Sequence, residues 1–330
     1  MKQLLLIAFG MWSASLTIAQ DTFSIVAVDT LTGEVGSAGA SCLDNNSFPG
    51  SGGAIIISDI LPGKGAIHTQ SYWVAGNQAN ARLKMEEGLS PVEIITWLRQ
   101  NDVEGILGQL KRQYGIIDFD AQGHPRSAAH TGTSCFNYKG HKTGLTYSIQ
   151  GNILLGQQIL DSMEARFLNA NGTLADRLMA ALQGANVPGA DTRCLNNGTS
   201  SLSAFLRVAK PEDADDNLFL DLNVPSLPAG QEPIDSLQTL YNQWKASSGT
   251  AQLHQIQISL QPNPASDQFS INWNGNEGDL FIYSTSGKLM FRQGLKAGEN
   301  RVQPTLTPGF YLIEVRTEGH ASKVMKLVWH

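Results

Sequence analysis

Charged side chains are scarce in this chain: Lys, Arg, Asp and Glu make up 16% of its 330 residues, against roughly 25% in an average globular domain. The charge that exists leans acidic, at −6. A nucleic-acid partner is therefore not expected, because phosphate binding needs a basic face. Acidic small molecules are disfavoured less strongly, since one local arginine overrides a global average. After the N-terminal segment no stretch approaches the roughly 20 apolar residues of a membrane-spanning helix, so no transmembrane span is expected. Neither a Cys-x-x-Cys nor a His-x-x-x-His pair occurs, which removes the usual zinc spacings. The Gly-x-Ser-x-Gly elbow, the phosphate loop and the dinucleotide fingerprint are missing as well, so no metal and no cofactor are expected. Internal repeats are also missing, which argues against a repetitive adhesin.

What is present begins with an export signal. Lys2 supplies a positive end, Leu4 to Phe9 start an apolar run that continues through Met11 and Trp12, and Thr17 and Ala19 stand where a signal peptidase reads. Residues 1–20 are thus expected to be a signal peptide, and the protein to be secreted or placed at the cell surface. Export favours disulfides, and three cysteines leave at least one thiol unpaired. Cys42 and Cys194 lie in similar polar loops, Cys-Leu-Asp-Asn and Cys-Leu-Asn-Asn. They are the expected pair, with Cys135 a buried thiol at the end of a strand; three reduced cysteines are the alternative.

Secondary structure reads in blocks. Strands are expected at 22–28, 34–40, 54–58 and 65–70. Ser90-Pro91-Val92-Glu93 has the form of a helix start with a capping box, and Asp102 is expected to cap a further short helix. Strands return at 114–119 and 146–149. Ile159, Met163 and Phe167, then Leu174, Leu178 and Leu182, have helical spacing. Late strands at 202–208 and 218–224 precede a helix carrying Ile234, Leu237, Tyr241 and Trp244. Runs of one element type, rather than strict alternation, point to layered α+β packing. Ala246-Ser-Ser-Gly-Thr250 has linker composition. The short strands beyond it, at 269–273, 280–283 and 310–315, point to a small antiparallel sandwich. The expected parts are a signal peptide (1–20), an α+β domain (21–246), a linker (247–255) and an all-β domain (256–330).

The all-β part resembles the type A sorting domain of the type IX secretion system of Bacteroidetes. The matching stretches are Gln261-Pro-Asn-Pro-Ala265, Ile282-Tyr-Ser-Thr-Ser-Gly-Lys288, Pro308-Gly-Phe-Tyr-Leu-Ile-Glu-Val315 and Ser322-Lys-Val-Met-Lys-Leu-Val328. That resemblance implies an Ig-like fold, export across the outer membrane and the type IX secretion machinery as a partner.

The α+β part resembles the domain-of-unknown-function family 1028. The features that carry the likeness include Thr22-Phe-Ser-Ile-Val-Ala27, Gly65-Ala-Ile-His-Thr-Gln70, Thr131-Gly-Thr-Ser-Cys135, Gly140-His141, Gln150-Gly-Asn-Ile-Leu154 and Gly189-Ala-Asp-Thr-Arg193. This resemblance implies a layered αββα sandwich like that of the N-terminal-nucleophile hydrolases. Thr22 would then be the nucleophile, acting on a small-molecule or peptide amide substrate. An α-amine near pKa 8 serves as base in such enzymes, so the bond before Thr22 must be cut. Gln20 and Asp21 stand in front of it, and the Asp21-Thr22 bond suits an N→O acyl shift. His141 and Asn152 complete the candidate catalytic set, Asn152 and Gln150 as oxyanion donors. Arg193, Asp191, His68 and Gln70 are candidates for substrate binding, Arg193 through its two-pronged grip on a carboxylate. The rival reading is a non-catalytic binding module on the same fold, and homo-oligomerisation is left open.

Overall fold

The computed structural model describes residues 22–247, 258–317 and 320–330. The expected signal peptide and residues 248–255 of the expected linker lie outside the described residues. The chain divides into two compact units, with the boundary between Tyr241 and Asn242.

The first unit carries, in chain order, β1 Thr22–Val28, β2 Val35–Ser41, β3 Ser58–Leu61, β4 Gly65–Gln70, α1 Ala75–Glu86, α2 Pro91–Gln100, β5 Gln113–Phe119 and β6 Pro125–Thr131. There follow β7 Gly140–Gly144, β8 Tyr147–Gly151, α3 Gln157–Asn169, α4 Leu174–Gly184, β9 Ser203–Ala209 and β10 Leu220–Val224, with α5 Pro233–Ser247 ending across the unit boundary. The strands form a six-stranded sheet ordered β10-β9-β2-β1-β8-β7 and a four-stranded sheet β3-β4-β5-β6. Every pairing is antiparallel.

Each strand shows alternate residues to opposite faces, and this decides the packing. On the outer face of the smaller sheet, Ile67, Tyr114 and Ile116 meet Ala81 and Met85 of α1 and Ile94, Ile95 and Leu98 of α2. Ser90 caps α2 in the expected capping box with Glu93, and Pro91 opens the helix. On the outer face of the larger sheet Gly36 leaves room for Leu174 and Leu178 of α4, and Tyr147 of β8 meets Phe167 of α3 at 5.3 Å.

The inner faces meet each other. Val26, Val28, Val35 and Ala209 from one sheet pack on Ile60, Ala66 and Ile117 from the other. Large aliphatic side chains buried this fully each contribute about 1.5–3 kcal/mol. Two or four residues further along the same faces stand Thr22, Ser24, Ser37, Ser58, His68, Gln70 and Gln113, all buried. The inter-sheet layer is thus apolar at one end and polar at the other.

Some local expectations need correction. Residues 53–57 form a 3₁₀ turn rather than a strand: Gly52 and Gly53 hold positive φ of 71° and 81°, and the turn buries Ala54 and Ile57 against Phe205. Asp102 caps no helix but grips Arg112. Cys135 lies in a turn after β6, its N–H donating to the Gly132 carbonyl. Helix α1 was not expected. Only Asn77, Ala81 and Met85 of it are buried, too few apolar positions to announce a helical stripe.

The second unit is all β. Strands β11 Ile258–Gln261, β12 Phe269–Ser284, β14 Gly309–Thr317 and β15 His320–Trp329 pair in that order, and β13 Leu289–Val302 pairs with β12. Phe269, Ile271, Leu280, Ile282, Leu295, Val302, Ile313 and Leu327 form its core. Asn263, between two prolines, accepts from the Val328 N–H at 2.9 Å and donates to the Lys326 carbonyl at 2.8 Å. The Gln261–Ala265 motif is thereby fastened to the last strand. Among the described residues no helix is long and apolar enough to cross a membrane.

Candidate active site

Thr22 opens β1, which lies inside the larger sheet between β2 and β8. Its residue is fully buried, and its carbonyl accepts from Gln70 Nε2 at 3.0 Å and from the Asn152 N–H at 3.2 Å. Gln70 Nε2 also donates to Gln113 Oε1 at 2.8 Å, and Asn152 Nδ2 donates to the same oxygen at 2.9 Å. Gln113 turns its own Nε2 toward the Gly140 and Gly151 carbonyls and Thr131 Oγ1, at 3.0, 2.9 and 2.9 Å. Three carboxamides from β4, β5 and the end of β8 thus form a closed ring with the Thr22 carbonyl.

A second chain runs deeper. Ser24 Oγ donates to Gln70 Oε1 at 2.6 Å, lies 2.9 Å from His68 Nδ1 and accepts from Gln150 Nε2 at 2.7 Å. His68 Nε2 lies 2.5 Å from Ser37 Oγ, which lies 2.8 Å from Ser58 Oγ. Burial, and secondarily the Arg207 charge, push the His68 pKa down to about 3. His68 is therefore neutral at physiological pH. Gly115 makes this packing feasible, since a Cβ there would stand 1.9 Å from Gln150 Oε1.

The sequence-derived candidates fall into three places. Thr22, Gln70 and Asn152 share the carboxamide ring, and His68 joins it through Ser24. His141 lies at the margin, on an exposed position of β7, with Nδ1 2.8 Å from Thr131 Oγ1 and thus one step from Gln113. Asp191 and Arg193 form a separate brace. Buried Asp191 caps the 3₁₀ turn Thr192–Asn197, accepts from the Cys42 N–H at 3.0 Å and pairs with Arg193 at 2.6 Å. The Arg193 side chain keeps 30% exposure. Cys42 and Cys194 are joined in a disulfide, and the buried Cys135 thiol lies outside it, 3.4 Å from the Arg112 carbonyl. The brace adjoins the ring because Thr22 pairs with Ser41, beside Cys42, and the Thr192 N–H donates to the Ile153 carbonyl, beside Asn152.

Backbone strain gathers at this end. Ser71, Tyr72 and Ile153 have φ of 56°, 55° and 51°, a region that L side chains, β-branched ones above all, enter at a cost of about 1–3 kcal/mol. The Ser71 Oγ and Asn152 Oδ1 atoms are buried with no hydrogen-bond partner among the described residues. Sequence reasoning missed Ser24, Ser37, Ser58 and Gln113. The signal was a period-two polar row, Thr22 and Ser24 or His68 and Gln70, within strands buried on both faces. Among the described residues no group of three His, Cys, Asp or Glu side chains is placed to hold a metal.

Residues 22–237 match the model of the Family of unknown function (DUF1028). The chain belongs to this family. Residues 259–330 match the Secretion system C-terminal sorting domain, which directs the protein to secretion or the cell surface through the type IX machinery. Among solved structures the DUF1028 domain is similar to protein SPO2555 from Silicibacter pomeroyi, also of family-model DUF1028. Identity is 23% over 68% of this chain and 89% of that one, with a TM-score of 0.53, a likeness of fold. PorZ, a surface component of the type IX secretion system of Porphyromonas gingivalis, aligns at 10% identity over 39% of this chain and 21% of that one, with a TM-score of 0.22. No curated protein matches the chain.

Proposed function

We propose that the DUF1028 domain is a secreted amide-bond hydrolase of the N-terminal-nucleophile type, carried out of the cell by an Ig-like sorting domain. The observation that carries this reading is the place of Thr22. It opens an inner strand of the larger sheet, and its carbonyl is held by two residues of a polar ring. In this reading Thr22 Oγ1 attacks the substrate carbonyl and the Thr22 α-amine takes the hydroxyl proton, then passes it to the leaving amine. Asn152 turns an amide N–H toward the developing oxyanion. Gln70 and His68 hold the strand, His141 closes the hydrogen-bonded chain at the margin, and Arg193, set by Asp191, meets a substrate carboxylate.

The chemistry requires that the bond between residues 21 and 22 be hydrolysed, because an acylated nitrogen is no base. Intact-mass and N-terminal analysis of secreted protein should therefore find Thr22 first. Thr22→Ala should retain residue 21 and lose amidase activity on a panel of N-acyl and peptide amides by at least about a thousandfold, while Thr22→Ser keeps part of it. The complete burial of Thr22 favours a second reading, a binding module on the same fold. Secreted protein beginning at residue 20 or 21, with ligand binding indifferent to Thr22→Ala, would establish that one and end the hydrolase reading.

A further inference from the structure

Asn152 Oδ1 is an acceptor that waits for a donor. The direction of the carboxamide ring follows from its fixed ends. The Gly140 and Gly151 carbonyls can only accept, so Gln113 must present Nε2 to them and Oε1 to the other side. Gln113 Oε1 in turn requires donors, which orients Nε2 of Gln70 and Nδ2 of Asn152 toward it. Asn152 therefore cannot flip, and its Oδ1 is left buried and unpartnered. Such an acceptor is rare and costly in a folded protein. The next residue, Ile153, holds the left-handed backbone already noted, so the position is strained as well as unsatisfied.

The group nearest in the ladder is the start of β1. The β1–β8 register runs from Ala27↔Tyr147 to Phe23↔Gly151, and the Asn152 N–H extends it to the Thr22 carbonyl. Thr22 shares the inter-sheet face of Ser24, the face on which the Asn152 side chain meets Gln113. An amide nitrogen at Thr22 has a single hydrogen. Hydrolysis of the bond to residue 21 places water's hydroxyl on the residue 21 carbonyl carbon and hydrogen on the Thr22 nitrogen, which then has additional donors.

Resting on the hydrolase reading, we propose that Asn152 Oδ1 is the seat of the freed Thr22 α-amine. It accepts one N–H and so aims the nitrogen lone pair at Oγ1 of the same residue. Asn152 is in this respect a positioning residue, and its readout is the basicity of the amine rather than turnover.

The test uses the secreted full-length protein and an amine-acylating reagent, with labelling of residue 22 followed by peptide mass mapping across pH. Asn152→Asp puts a carboxylate beside the ammonium and should hold it protonated, slowing labelling at pH 7 by about tenfold or more. Asn152→Ala removes the acceptor and should shift labelling to lower pH. In the wild type, with asparagine selectively ¹⁵N-labelled, the Asn152 side-chain amide signal should move with pH at the amine's own midpoint, a measurement that needs no variant. Thr22 found first, with labelling and the amide signal indifferent to residue 152 and to pH, overturns this seat and leaves the nucleophile standing. A mature chain that keeps residue 21 overturns both.

Discussion

Opening the Cys42–Cys194 bridge should loosen the DUF1028 domain by a predictable amount. The bridge spans 152 residues of sequence. In the chain-entropy treatment a loop of that length, once closed, disfavours the unfolded state by about 5 kcal/mol at 25 °C, and bridges in practice deliver about 2–4. The bonds around the bridge do not depend on it: Asp191 would still accept from the Cys42 N–H and still pair with Arg193. A Cys42→Ser/Cys194→Ser protein should therefore fold, with only the tether gone. For a urea dependence of about 3 kcal/mol per molar, a loss of about 3 kcal/mol moves the midpoint down by about 1 M. Urea unfolding of the two proteins, followed by far-UV circular dichroism, reads that shift. The sorting domain, which contains no cysteine, provides a transition that should not move. Coincident midpoints for the larger domain would refute the reasoning, as would a non-reducing peptide map joining Cys42 to Cys135.

Three further outcomes follow from the same geometry. His68 is held neutral with its pKa lowered to about 3, so the unfolded chain binds a proton there below pH 6.5 that the folded one refuses. Its share of stability is whole above pH 6.5 and should fall by about 1.4 kcal/mol per pH unit toward pH 3. Against His68→Asn, that part of the acid slope should vanish; identical slopes would contradict it. Arg112 is almost wholly buried and grips Asp102 with two hydrogen bonds of 2.9 and 3.0 Å, while Asp102 also accepts from Asn77. Asp102→Ala leaves the buried Arg112 with only the partly exposed Glu104 carboxylate, 2.8 Å away, and should cost about 3 kcal/mol in chemical unfolding, more than the cost of about 1 kcal/mol expected for losing the α2 cap by Ser90→Ala. Asn263→Ala in the sorting domain removes two bonds to the last strand. It should cost about 1–3 kcal/mol, seen as a lower melting temperature for that unit with the larger domain unchanged.

The strong local signals were legible in the residues alone. The alternating β-branched run of β1, the Ser90 capping box and the period of α3 and α4 all act within one element, so their meaning needs no partner. The sorting motifs are likewise linear, and the pairing of Cys42 with Cys194 was readable from their similar loops. Tertiary structure decided the rest. Ala54 to Ile57 has strand composition but turns, because two left-handed glycines precede it and Phe205 offers the apolar wall. Helix α1 has few apolar positions and is held by the sheet it covers. Asp102 carries the composition of a helix cap, but a buried arginine ten residues on makes the stronger claim. Ser24, Ser37, Gln70, Gln113 and Asn152 look like ordinary strand and turn residues one at a time. They become a site only when two sheets stack, since a polar side chain buried between sheets must find its hydrogen bond on another strand, and no spacing along the chain records which strand that is.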